Sequence, residues 1–366
     1  MKILGINTVD KRGGAAKVAT RLMHELEELG HVTRMRVGEK EEESDKVQRL
    51  EYGFFDRGIN KIFRLHGLRY STYRNITSDI FFKTADIIHL HNIHGGYFNV
   101  NALPVLAAKK PVVWTLHDPW IVEEHGDVPE YEGIFTHESR RYYSLKQSSI
   151  IAANVVFVTP SDWLRSKVVK YYPMKRIEII RNGIDTDIFV PTDKKGARAR
   201  LNLPQDKKIV LFVANGGTDN KSKGGEIFQG VKDFLGEKDI AYIDLGEGSH
   251  YVSTESDMAL YYAASDLLLF PSFAENLPLV VLEAMACGTP VVAFSTGGVP
   301  EIIDHTINGY IAKKRDAKDL VFGVSLFLKN DELAHNASEK AREKIMKNFS
   351  LKEMVKNYIM LYQELV

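Results

Sequence analysis

Short apolar runs alternate with longer stretches of helical periodicity along almost the whole 366-residue chain. KILGIN (2–7), ADIIHLHNIHGG (85–96), PVVWTL (111–116), VVFVTPS (155–161), KKIVLFVA (207–214), DLLLF (266–270) and GYIA (309–312) each predict a strand. Most are apolar at consecutive rather than alternate positions, the pattern of strands covered on both faces in a parallel sheet. Between them, residues 15–29 place Val18, Leu22, Leu26 and Leu29 at helical spacing. WLRSKVVKYY, a segment from about 225, and FSLKEMVKNYIMLYQEL also predict helices, the last with Met354, Tyr358, Leu361 and Leu365 on one face. Such alternation predicts an α/β protein built on parallel sheets.

The densest pattern is 266–301, DLLLFPSFAENLPLVVLEAMACGTPVVAFSTGGVPE, read as strand, loop, short helix, strand and glycine loop. Pro278 suits the first turn of that helix, and Gly288 followed by Pro290 ends it. The helix is apolar nearly all round and therefore buried, except that it carries Glu283. A buried carboxylate needs a partner, either a protein cation or a polar ligand, and this residue alone leaves both open. Glu275 stands in the preceding loop, at the carboxyl edge of a parallel sheet where ligands of open α/β sheets collect. The N–H groups at 276–279 would turn a partial positive charge to the same place, which favours phosphate. Two carboxylates beside an anion-binding helix end, with the glycine pair 297–298, suit a ligand with hydroxyls on two sides and phosphate between them: a nucleotide-sugar.

Composition narrows the class without naming a chemistry. Apolar residues make up 44% and charged residues 26%, as in a globular protein, and the length suits two domains. Lys plus Arg equals Asp plus Glu at 48 each, so no net field favours nucleic acid. The single cysteine, Cys287, excludes a disulfide framework and a cysteine-built metal site. Met1 runs straight into a strand pattern, and no apolar run approaches the ~20 residues of a membrane span. A cytoplasmic location is expected. RGINKIFRLHGLRYSTYRN (57–75) interleaves cations with apolar residues and contains no acid. It reads either as a surface helix or as a peripheral contact with the inner face of a membrane.

The Glu-x7-Glu unit within PSFAENLPLVVLEAMACGTPVVAFSTGGVPEII resembles the donor-site signature of the family-4 retaining glycosyltransferases. The resemblance is dense at 266–303 and moderate at 1–30, 111–118 and 181–191. It implies the GT-B fold: two Rossmann-like domains with parallel sheets facing each other across a cleft. The expected division is 1–188 plus 350–366 for an acceptor-side domain and 189–349 for the donor domain, with the terminal helix crossing back. It also implies that Glu283 holds the ribose hydroxyls, while Glu275 and the backbone of Asn276, Leu277 and Pro278 hold the transferred sugar.

Other residues gain candidate roles from the same resemblance. Gly13 and Gly14, between the first strand and first helix, would touch the donor diphosphate, although by themselves they read equally well as a tight turn. His117, in the Thr-x-His-Asp segment at the end of 111–116, would lie against the transferred sugar, with Asp118 orienting it. In NGGTDNKSKGG (215–225) the family's arginine is missing; Lys223 matches its lysine and Lys221 is a candidate substitute. His89, His91 and His94 invite a metal reading, but no carboxylate is close in sequence and the family needs no metal. The preferred reading is hydrogen-bonded histidines or an acceptor face, with Asn92, His94 and Asn182 as acceptor-side candidates. The loop 119–135, with five acids and Trp120, suits acceptor binding. The region 240–266 is short for the family and leaves the nucleotide unnamed.

The expected activity is therefore retaining, metal-independent and cofactor-free transfer of a sugar from a nucleoside diphosphate sugar, UDP- or GDP-linked. The acceptor would be a glycan, a lipid-linked molecule or a small molecule, in polysaccharide or glycoconjugate synthesis. The competing readings are a nucleotide-sugar epimerase, another enzyme of the same fold, and a non-catalytic nucleotide- or sugar-binding module.

Overall fold

The computed structural model describes residues 1–50, 76–77, 79–94, 96–122, 140–246 and 250–366. The basic stretch 57–75 and the acid-rich residues 123–135 lie outside these. The chain divides into two compact units, Met1–Ile180 with Val355–Val366, and Arg181–Met354.

The first unit is built on seven parallel strands: β1 (Lys2–Val9), β2 (Val32–Glu39), β3 (Val47–Arg49), β4 (Ile87–Leu90), β5 (Val112–Thr115), β6 (Val155–Thr159) and β7 (Ile177–Ile179). Their order is β3-β2-β1-β4-β5-β6-β7, so the sheet reverses direction of growth between β1 and β4. β4, β5 and β6 are buried at every position, which is what their unbroken apolar runs predict. The helix Gly14–Glu28 covers the sheet with Ala16, Val18, Ala19, Leu22, Met23 and Leu26, a stripe at helical spacing.

The second unit holds five parallel strands, β8 (Lys208–Val213), β9 (Ile240–Leu245), β10 (Leu267–Phe270), β11 (Val291–Phe294) and β12 (Gly309–Ala312). Their order, β12-β11-β10-β8-β9, reverses between β8 and β10. Val210, Phe212, Leu267, Leu269, Val292 and Phe294 face the helices Gly225–Leu235 and Ala317–Lys329 in one apolar core. The helix Leu279–Ala286 is buried along seven of its eight residues, Glu283 among them. Pro278 is its N-cap, in extended conformation, one position earlier than the first turn it was expected to occupy. Gly288, at φ +75°, ends the segment as expected.

The terminal helix Leu351–Leu365 begins in the second unit and passes into the first after Met354. Residues 181–188 and 350–354, expected with the first domain, lie in the second unit, held by local pairing. Ile184 N–H donates to Phe349 O (2.8 Å), Leu351 N–H donates to Ile184 O (2.9 Å), and Arg181 pairs with Glu301. In the first unit, the helix's Tyr358 and Tyr362 are fully buried.

Candidate active site

In the second unit, the loops that leave β8 and β10 meet at the point where the sheet order reverses, the usual ligand position in such sheets. Lys223 Nζ from the first loop lies 2.7 Å from Glu275 Oε1 of the second. Ser272 Oγ donates to the same oxygen at 2.7 Å, so Glu275 is fixed from two directions. Two glycines make the close approach possible. Gly224 (φ +78°) would drive a Cβ into the Pro271 carbonyl, and Gly297 (φ +56°) would drive one into the Glu275 carbonyl. Gly298 N–H donates to Asn276 O at 2.7 Å, which ties the expected glycine loop to the start of the helix.

The helix Leu279–Ala286 has no side-chain cap at its N-terminus. Its first N–H groups have no partner within the helix, and the Glu275 loop leads directly into this end. Asn182, expected on the acceptor side, donates its Nδ2–H to Leu277 O at 3.0 Å and so fixes this turn. Glu283 is 2% exposed and accepts a hydrogen bond from the Tyr262 hydroxyl at 3.1 Å. Lys221 is not brought into this group. Its side chain is 81% exposed and its ammonium lies 2.9 Å from Glu226.

In the first unit, the loops after β1 and β4 likewise meet where the sheet reverses. Gly13 (φ +86°) caps the helix that begins at Gly14, and among the described residues nothing lies within 4 Å of where its Cβ would be. Asn92 is held through its backbone: its N–H donates to Asn7 Oδ1, and its carbonyl accepts from the Thr8 and Tyr97 hydroxyls. The histidines of this edge face different partners. His94 Nε2 lies 3.0 Å from Asp118 Oδ2, whose other oxygen accepts the Trp120 N–H at 3.0 Å. His91 Nδ1 lies 3.0 Å from His117 Nε2, the rings stacked at 5.2 Å. His89 is enclosed by the Thr115 and Tyr362 hydroxyls, each at 2.7 Å. Among the described residues no group of three or more His, Cys, Asp or Glu side chains is placed to hold a metal ion.

Burial sets the charge state of this edge. It lowers His117 to about 4 and His89 to about 3, and holds His91 well below the ordinary imidazole range. Burial would raise Asp118, but the His94 imidazole and the Trp120 N–H hold it below the usual carboxylate value. The histidines at β4 and β5 are thus neutral near pH 7, and the carboxylate is ionised.

Sequence reading did not find Ser272, Tyr262, Thr115, Tyr358 and Tyr362. The two terminal tyrosines carried a usable signal, since i,i+4 hydroxyls on an otherwise buried helix face need polar partners. Lys146 was also missed. It is fully buried, donates to Trp120 O at 2.8 Å and lies over the indole ring.

Comparison with known proteins agrees with this geometry. The profile for "Glycosyltransferase Family 4" matches residues 12–188, and that for "Glycosyl transferases group 1" matches residues 238–344. N-acetyl-alpha-D-glucosaminyl L-malate synthase of Bacillus anthracis is 24% identical over 389 residues, covering 99% of this chain and 97% of that protein. D-inositol 3-phosphate glycosyltransferase of Mycobacteroides abscessus is 32% identical over 165 residues, covering 39% of this chain and 37% of that one. Among solved structures, Anabaena HepE in complex with UDP-glucose superposes with a TM-score of 0.75 at 16% identity, each chain covered completely. The first profile falls mainly on the first unit and the second within the second unit, and with the full-length relative they lead to one conclusion: the chain belongs to the family-4 glycosyltransferases and has the GT-B fold.

Proposed function

We propose that this glycosyltransferase takes a nucleoside diphosphate sugar as donor and transfers the sugar with retention of configuration, without a metal ion. The observation that carries the reading is the Lys223–Glu275 pair, set before the uncapped start of the buried helix that carries Glu283. Lys223 and the first-turn N–H groups would stabilise the departing diphosphate, supplying the positive charge that other enzymes take from a metal. Glu275, with the backbone of Asn276, Leu277 and Pro278, would hold the transferred sugar, and Glu283 the ribose hydroxyls. Gly13 and Gly14 would approach the diphosphate through their backbone, and His117 would hydrogen-bond to the sugar. In the transfer step the bond from the anomeric carbon to the phosphate oxygen breaks with its electron pair on the phosphate. The acceptor oxygen bonds the same face, and its proton passes to the departing phosphate.

Two similarities narrow the partners. HepE was solved with UDP-glucose, which puts UDP-sugars first among the donors. The two curated relatives are named for L-malate and D-inositol 3-phosphate, both small and acidic, which favours a small-molecule acceptor over a glycan or lipid-linked one.

A thermal-shift screen against UDP-, GDP- and ADP-sugars tests the donor, because a ligand that binds only the folded state raises the melting temperature. One nucleotide class should stabilise the protein, and its sugar should be transferred equally well in the presence of EDTA. Proton NMR of the first-formed product should show the donor's anomeric configuration. No stabilisation by any nucleotide-sugar would overturn the proposal, and conversion of the donor with no acceptor present would establish the epimerase instead.

A further inference from the structure

We infer that Asp10 is a positioning residue whose buried carboxylate fixes the glycine loop 11–14, so that Gly13 and Gly14 meet the donor from a loop already in place. The inference rests on the proposed approach of those glycines to the diphosphate.

β1 and β2 pair in parallel as far as Val9 and Glu39, and the backbone ladder stops there. Asp10 continues the connection with its side chain. Its Oδ1 accepts the Glu41 N–H at 2.8 Å, and its Oδ2 accepts the Glu42 N–H at 2.9 Å. Successive backbone N–H groups of this kind make a small cradle for an anion. Asp10 is 1% exposed, and what its carboxylate meets is main chain rather than a cation. A carboxylate buried on such terms is costly unless those bonds are kept. Its carbonyl accepts the Thr20 hydroxyl at 2.7 Å, which ties the start of the loop to the helix Gly14–Glu28. The segment that Asp10 holds reaches back in turn, since Glu41 Oε2 accepts the Arg12 N–H at 3.0 Å. The two loops are therefore clasped twice, from 10 to 41–42 and from 41 to 12.

Asn7, also 1% exposed, secures the strand end from the opposite neighbour. Its Oδ1 accepts the Asn92 N–H at 3.1 Å, and its Nδ2–H donates to Val9 O at 2.7 Å. Beyond Arg12 come two residues with no side chain that a neighbour could hold, the first at φ +86°. Glycine has more backbone freedom to lose on binding than any other residue. Anchoring the pair at Asp10 and Arg12 on one side, and at the helix on the other, removes that cost before the ligand arrives. Asp10 touches no ligand in this scheme and acts through the loop.

Asp10→Asn keeps the shape, but it leaves one acceptor oxygen for two N–H groups and turns a donor toward one of them. Glycine-selective nitrogen-15 relaxation of the full-length protein reads the loop without any ligand, with Gly14→Ala assigning the pair. Order parameters of Gly13 and Gly14 should stand near about 0.85 in the wild type and fall below about 0.6 in the variant. The donor KM should rise about tenfold, with the acceptor KM unchanged. Instability alone lowers the fraction of active enzyme, and with it the apparent kcat, but leaves KM where it was. Glu41→Ala cuts the return bond at a partly exposed residue and serves if Asp10→Asn does not fold. It should loosen the same glycines and raise the donor KM by a few-fold. Glycines already loose in the wild type, or still rigid in the folded variant, would overturn the inference. Loosened glycines with an unchanged donor KM would overturn it as well. A wild-type protein that transfers no nucleotide-bound sugar would defeat the donor reading instead, and the order parameters would still decide whether Asp10 holds the loop.

Discussion

The two units use the same device to make a site, a parallel sheet whose growth reverses next to its carboxyl edge, yet they furnish that edge with opposite electrostatics. At β8 and β10 the charges are full and paired: Lys223 against Glu275, with Glu283 carried on the helix behind. At β4 and β5 the titratable groups are mostly neutral histidines, stacked and hydrogen-bonded to one another and to hydroxyls. The difference corresponds to the division of labour expected of sugar transfer. A diphosphate leaving with negative charge needs cations and aligned N–H dipoles. A sugar losing its leaving group needs donors and acceptors that do not compete as nucleophiles or draw in water.

The comparison breaks most sharply at Glu275. Glu275→Gln keeps the shape and the hydrogen bond from Ser272 but removes the charge that faces Lys223. We expect kcat to fall by roughly 10²–10³-fold, the usual loss when one preorganised group of a transition-state site is removed, with the melting temperature nearly unchanged. Turnover within a few-fold of the wild-type rate, measured by nucleotide release, would remove Glu275 from the site.

Lys223→Met should weaken diphosphate binding by about 10- to 100-fold, read by calorimetry with the free nucleoside diphosphate. Lys223 and Glu275 touch, so the double variant should lose less than the sum of the two single losses; strict additivity would mean that the pair does not act as a unit. Lys221→Met, by contrast, removes an ammonium that sits on an exposed Glu226 and should change little.

Much of this contrast was legible in the sequence, and the reasons it was not fully so are physical. Strand positions were accessible because a doubly covered strand must be apolar throughout; the GYIA strand is observed over the residues read for it. Glu275 and Glu283 stood out because a carboxylate in an apolar run demands an explanation. The partners were hidden because they come from elsewhere in the chain: His91 with His117 across 26 positions, Tyr362 with His89 across 273, and Tyr262 with Glu283 across 21. Asp118 shows the limit most plainly. Adjacency in sequence suggested that it orients His117, whereas its carboxylate receives His94 from the next strand's loop. Residues 181–188 were expected with the first domain from the family resemblance; backbone pairing with 349–351 goes with their place in the second unit.

Acidification should sharpen the difference between the units. His117 and His89, lowered by burial to about 4 and about 3, and His91, lower than its ordinary value for the same reason, bind protons near pH 6.5 only when unfolded. Their depressed values mean that the unfolded state binds more protons below pH 6.5. Stability is therefore full above that pH and is lost as pH falls toward the folded values. The loss reaches up to about 1.4 kcal/mol per pH unit for each histidine. In the second unit, Asp266 is lowered against the charges of Lys194 and Arg198 despite burial, and its contribution is lost only below the ordinary carboxylate range. Hydrogen exchange of the intact protein at about pH 6.8 and 5.2, corrected for intrinsic rates, should show β4 and β5 losing protection while β8 and β10 keep theirs. Equal losses in both sheets would mean that the histidines do not control the acid response.

The smallest expected effect concerns the buried carboxylate of Glu283. Tyr262→Phe deletes the hydroxyl that donates to Glu283 Oε2 and leaves a buried carboxylate with one partner fewer. If Glu283 served only the core, the whole consequence would be a loss of about 1–3 kcal/mol in stability, and nucleotide binding would stay as it was. If Glu283 holds ribose hydroxyls, part of the loss moves into binding, because the carboxylate must be aimed before it can grip. Nucleoside diphosphate affinity should then fall by a few-fold, while affinity for inorganic diphosphate, which has no ribose, stays the same. That pair of measurements separates the two meanings of a charged residue in an apolar helix. It has no counterpart among His89, His91 and His117 of the first unit, whose hydrogen-bonded rings carry no charge near pH 7.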